Sequence, residues 1–129
     1  MFDNELEITT EQMTLTSMDD RLLQQAINLV NENISNPDFS VTELSTALCM
    51  HRTNLYKKLL YITGKTPVEF IRAIRLKRAA TLLETDGVYV SEIAYMVGFN
   101  SPKVFAGHFR EEFGCSPSEY RKKHNENNN

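Results

Sequence analysis

The sequence predicts an all-α fold of about seven helices, grouped as two helix-turn-helix subdomains joined by a long linker helix. Three observations carry that prediction. Apolar residues recur at helical spacing from about residue 18 onward, and no stretch of the core region alternates as a strand would. Helix-capping signals follow one another along the chain. The chain also spells one joint twice, GKTPVEF at 64–70 and GCSPSEY at 114–120: Gly64 answers Gly114, Pro67 answers Pro117, Glu69 answers Glu119 and Phe70 answers Tyr120.

Taken in order, residues 1–17 form a lead-in that is Thr-rich and acidic. Weak alternation at Leu6, Ile8, Met13 and Leu15 allows a short strand, but an extended linker fits better. Ser17-Met-Asp-Asp20 then reads as a capping box, and Leu22, Leu23, Ala26, Ile27, Val30 and Ile34 place a helix at about 18–35. Asn36-Pro37-Asp38 stops it. Ser40-Val-Thr-Glu43 is a second capping box, opening a short helix to about Leu48. After a turn at Cys49-Met50, the stripe Leu55, Leu59, Ile62 marks the next helix, which ends at Gly64, a residue free to take positive φ. Thr66 caps the linker helix with Pro67 at its first position, where no amide hydrogen is missed, and Phe70, Ile71, Ile74, Ala79, Leu82 and Leu83 carry it to about Glu84. The first helix-turn-helix therefore spans about 41–63 and the linker about 67–84.

A second copy follows. Val41-Thr-Glu-Leu44 matches Val90-Ser-Glu-Ile93 at an offset of 49; one extra residue enters the turn at Gly98-Phe99-Asn100, and the offset becomes 50, pairing Leu55 with Phe105 and Leu59 with Phe109. Helices are expected at about 90–97, 101–113 and 117–123, with the second helix-turn-helix at 90–113. Residues 18–124, which hold both copies, read as one domain, and 125–129 as a disordered tail.

At 129 residues the chain suits one domain, or two small lobes sharing an element. No apolar run reaches the ~18 residues that span a bilayer, and the acidic N-terminus is no signal peptide, so neither membrane contact nor export is expected. Cys49 and Cys115 read as reduced thiols of a cytoplasmic protein. The net charge of −3 conceals an asymmetry: residues 1–40 hold eight acids against Arg21, whereas 51–78 hold eight bases against Glu69. Phosphate attraction acts over about one Debye length, so the basic segment matters more than the sum.

A short helix, a tight turn and a second amphipathic helix hold that second helix proud of a domain, able to enter a major groove. On the first such helix Arg52, Thr53, Tyr56 and Lys57 share one face while Leu55, Leu59 and Ile62 turn inward. Arg and Lys donate to guanine edges, Thr meets a thymine methyl, and Tyr56 suits a base edge or a phosphate. A linker of about 18 residues would be about 27 Å long, near the ~34–36 Å recurrence of the groove.

Three segments carry a family resemblance: TELSTALCMHRTNLYKKL, FIRAIRLKRAATLL and SEIAYMVGFNSPKVFAGHFREEFGCSPSEYRK. Through them residues 19–123 resemble the DNA-binding domain of the AraC/XylS family of transcription regulators. The lead-in is similar to the connector before such domains in response regulators and hybrid two-component proteins. The resemblance implies bacterial transcription control through double-stranded promoter DNA. His51 stands where relatives favour a serine cap and is expected to cap the reading helix and meet phosphate. Ser101 and Pro102, the cap and first position of the second reading helix, suit a phosphate as helix N-termini do. The sequence departs from the pattern at Gly107, Val104 and Tyr89. Gly107 offers no side chain to a base, leaving Lys103, Ala106, His108 and Arg110 as the accessible set, so the first unit is expected to read bases and the second to anchor on phosphate.

Arg72, Arg75, Lys77 and Arg78 divide between phosphate contact, pairing with acids such as Glu84, and covering apolar surface with their stems. Phe99, Phe105, Phe109 and Phe113 are expected in the core. His51, His108 and His124 lack metal-ligand spacing, and no phosphate loop or nucleophile motif appears, so no metal, cofactor or enzymatic activity is expected. The competing reading is a helical interaction module contacting RNA polymerase or a partner regulator; the acidic first helix would suit a receiver domain. With no sensing or phospho-acceptor unit, the chain reads as the C-terminal piece of a longer protein.

Overall fold

A computed structural model describes residues 10–127, with side chains from Ser17 onward. Its elements are α1 (Thr10–Glu32), α2 (Val41–Ala47), α3 (Arg52–Thr63), α4 (Pro67–Leu83), α5 (Val90–Met96), α6 (Pro102–Phe113) and α7 (Pro117–Asn127), with no strand among the described residues.

Two apolar clusters organise these helices. Ala26 and Val30 of α1, Leu44 of α2, and Leu55 and Leu59 of α3 close on Phe70 and Ile71 at the start of α4. Leu76, Ala79, Ala80 and Leu83, farther along α4, pack with Ile93, Ala94, Val97, Phe105 and Phe109. The linker helix is thus a wall of both cores. The second core is the more aromatic: Phe109 lies 4.5 Å from Phe113 and meets Tyr120 edge-on at 5.5 Å.

The turn inside each unit is reproduced in its main-chain hydrogen bonds. Cys49 N donates to Thr46 O at 3.0 Å and Gly98 N to Tyr95 O at 3.1 Å; Met50 N donates to Ser45 O at 3.0 Å and Phe99 N to Ala94 O at 2.9 Å. Cys49 and Gly98 both take left-handed φ, +57° and +88°. The turns coincide through Met50 and Phe99, so the extra residue enters after them. The two joints agree as closely. Gly64 and Gly114 end α3 and α6 at φ +75° and +78°. Thr66 N donates to Glu69 Oε1 as Ser116 N does to Glu119 Oε1, both at 2.9 Å, and each hydroxyl accepts the returning amide. Tyr89, as anticipated, gives α5 no side-chain cap.

Two boundaries correct the sequence reading. The lead-in is not extended up to residue 17: α1 already runs from Thr10, which puts Ser17 inside the helix instead of at its cap. No Pro or Gly interrupts 10–32, and extending a formed helix is far easier than nucleating one. The strand or linker expected over 1–9 lies outside the described residues. At the other end α7 continues through 125–127, expected as disordered tail, for the same reason.

Candidate nucleic-acid interface

The first reading helix, α3, is held by its own cap and by two buried leucines. His51 Nδ1 accepts the amide of Thr53 at 3.3 Å, so the expected cap is present. Leu55 and Leu59 are fully buried, which turns Arg52, Thr53, Tyr56 and Lys57 to solvent. These four line an open groove of about 710 Å³, together with Thr66, Pro67 and Val68. Its lining combines two cations, Arg52 and Lys57, with the apolar Pro67 and Val68. The adjacent Lys58 is drawn off this face, its Nζ lying 3.0 Å from Asp19 of α1. Tyr61, one turn beyond Lys57, is 80% exposed.

On α6, Ser101 accepts the amide of Val104 at 3.2 Å and Pro102 takes the first helical position. Phe105 and Phe109 are fully buried, leaving Lys103 and Arg110 exposed, Ala106 half-buried, and Gly107 beside open space. Arg110 lies 3.9 Å from Glu119, a loose and exposed pair. His108 is a correction to the accessible set. It turns toward α4, lining a cleft with Val68, Ile71 and Arg72, its ring 6.4 Å from Phe99 and its Nδ1 buried without a hydrogen-bond partner.

The linker cations separate as well. Lys77 is exposed, Arg72 half-buried, and Arg78 donates to Asn31 Oδ1 at 3.3 Å. Arg75 is buried and donates to four main-chain carbonyls, which removes it from any phosphate set. Burial pushes its guanidinium below the usual arginine range. Glu84, considered a partner for these cations, instead accepts the Tyr120 hydroxyl at 3.1 Å. The sequence held a sign of Arg75's burial that the charge tally passes over: with Ile71 and Ala79 it continues the buried i, i+4 stripe of α4. No group of three or more potential metal-ligating side chains clusters among the described residues.

A model described as a helix-turn-helix domain matches residues 44–123, well over half of the chain and spanning both reading helices. The chain belongs to the AraC-type helix-turn-helix family. Histidine kinase P4 of Formosa agariphila is 43% identical over 125 residues, covering 97% of this chain and 9% of that protein. The lactose operon transcription activator of Staphylococcus xylosus is 30% identical over 99 residues, 77% of this chain and 35% of that one. The chain therefore spans a minor part of these relatives. Among solved structures, the DNA-binding domain of AdpA in complex with a target DNA is similar at 30% identity and a TM-score of 0.69, covering 81% of this chain and 90% of that one. The C-terminal domain of AraT, a response regulator from Geobacillus stearothermophilus, shares the fold at a TM-score of 0.72 and 24% identity, with 79% and 84% covered. Within this AraC-type frame the two reading helices are unequal: α3 presents two cations, a threonine and a tyrosine where α6 presents Pro102, Lys103, Ala106 and Gly107.

Proposed function

We infer that this AraC-type chain binds double-stranded promoter DNA sequence-specifically and regulates bacterial transcription, with α3 reading base edges and α6 anchoring on the backbone. One observation carries the division of labour: at matched positions of the repeat, α3 exposes Arg52, Thr53, Tyr56 and Lys57, whereas α6 exposes Lys103 beside the small Ala106 and Gly107. Long donors reach base edges; a small-residue surface permits close approach without reading them. His51, Ser101, Pro102 and Arg110 supply contacts to phosphate. Lys77, exposed on the linker, adds to the field.

The same reading assigns no enzymatic activity, and it places the chain in the cytoplasm as the output part of a two-component protein. That placement is supported by the likeness to histidine kinase P4 across 97% of this chain and by the shared fold with a response-regulator C-terminal domain. A receiver domain and RNA polymerase are the protein partners it calls for. None of the helices is long and apolar enough to cross a membrane, among the residues described.

Selection of duplexes from a random pool tests the proposal directly. The expected result is one block of strong base preference, with affinity falling steeply as salt rises because phosphate contacts release counterions. Binding that is indifferent to both sequence and salt would return the chain to the class of protein-interaction modules.

A further inference from the structure

Arg75 stands on α4 between the two cores and is 5% exposed. Among the described residues no carboxylate lies within ion-pair distance of it. Its Nη1 donates to Ile34 O at 2.7 Å and Val97 O at 2.9 Å; its Nη2 donates to Asn36 O at 3.0 Å and Phe39 O at 3.2 Å. Three of these carbonyls belong to the segment joining α1 to α2, in the first lobe. The fourth is the C-cap of α5, in the second.

Two of the acceptors, Ile34 O and Val97 O, lie at or just past helix C-termini, where the dipole favours a cation. Neither α1 nor α5 has a basic residue in its last turn, and one guanidinium serves the carbonyls just past both. Room for it is made by Gly98: a β-carbon there would fall 1.4 Å from Nη1 and 2.6 Å from Ile34 O. A guanidinium is planar, with donors in fixed directions, so carbonyls bound along its edges are held at fixed positions relative to one another. Lysine, a point charge on a flexible stem, imposes no such plane.

We propose that Arg75 is a positioning residue that locks the separation and orientation of α3 and α6, and so sets the distance along a duplex between the bases read by α3 and the backbone held by α6. The proposal rests on the two-helix reading of DNA given above. Arg75 touches no DNA in this arrangement; it acts through the turn that carries Val97 and Gly98 and leads into α6.

Two measurements on the full chain test it. Nitroxide labels at Tyr61→Cys and Glu111→Cys, repeat-matched exposed positions, report the distance between reading helices once Cys49→Ser and Cys115→Ala remove the native thiols. Hydroxyl-radical footprinting on the duplex that the parent chain selects reports the separation of protected backbone patches. The parent is expected to give one narrow distance and two patches at one separation. Arg75→Met is expected to lose the single narrow distance and to smear the second patch, while the base preference of the first block stays unchanged. Gly98→Ala, which expels the guanidinium without removing it, should do the same, and Arg75→Lys should fall between. A residue that merely supports the fold would lower melting temperature and occupancy without altering patch separation. An unchanged distance and footprint in Arg75→Met overturns the proposal; if that variant fails to melt cooperatively, the same result in Arg75→Lys and Gly98→Ala does so. If the parent selects no duplex, the DNA reading fails, and the label distances still decide whether Arg75 locks the lobes.

Discussion

At the residue scale, Arg52 and Gly107 carry opposite predictions. Arg52 is exposed at the start of α3 on the groove wall. Replacing it with alanine should cost about 1–3 kcal/mol of binding and relax preference at one base position, as loss of a bidentate contact does. Equal binding of the alanine variant and the parent across a panel of single-base changes would strike Arg52 from the reading set. Gly107 sits mid-helix with open space where a β-carbon would go. Gly107→Ala should raise stability by about 1 kcal/mol in urea titration, since glycine is the costlier residue inside a helix. Gly107→Lys restores a cation at the position matching Lys57. It should tighten binding and steepen the logarithmic salt dependence by about one phosphate contact; an unchanged slope would place that face of α6 away from the duplex.

At the scale of elements, three capping carboxylates contribute to the pH dependence of the fold. Hydrogen bonds from Ser40, Thr66 and Ser116 hold Glu43, Glu69 and Glu119 below the usual carboxylate range. A group whose folded pKa is depressed adds stability that is complete above its unfolded pKa and lost as pH falls through the folded one. Melting temperature should therefore stay level down to the ordinary carboxylate range and decline below it, and the triple Gln variant should flatten that decline. Thr66→Ala, which removes the amide acceptor at the start of α4, should cost about 1 kcal/mol. These joints were legible in the sequence because a cap is local: Thr-Pro-Val-Glu and Ser-Pro-Ser-Glu contain their own partners. The boundary of α1 was not, because the Ser17 box competes with a helix already propagating from Thr10, and a local pattern does not reveal which wins. His108 was misplaced because its surroundings come from α4, far away in sequence, and Arg75 because a charge tally counts cations without locating them. His108 aside, the exposed faces of α3 and α6 were legible, since the buried Leu55, Leu59, Phe105 and Phe109 fix them by period alone.

For the whole molecule, the decisive feature is that α4 walls both cores. Leu59 is buried in the first and Phe109 in the second. Leu59→Ala should cost about 2–5 kcal/mol and Phe109→Ala about 3–5 kcal/mol. In both variants, amide resonances of the two lobes should vanish at a common denaturant midpoint. Loss of one lobe's signals well before the other's would show that the shared helix does not couple them. The long-range field belongs to this scale too: the acids of α1 and the bases of 51–78 lie on different elements, so a pooled net charge of −3 is compatible with a basic face.

The matched turns differ in what they tolerate. Cys49 and Gly98 occupy equivalent places with the same handedness, yet only the second lies against a neighbouring side chain that leaves no space for a methyl group. Copying the first turn over the second during recombination would drive an atom into that neighbour. The two halves are therefore not interchangeable parts: one turn carries a side chain where the other admits none.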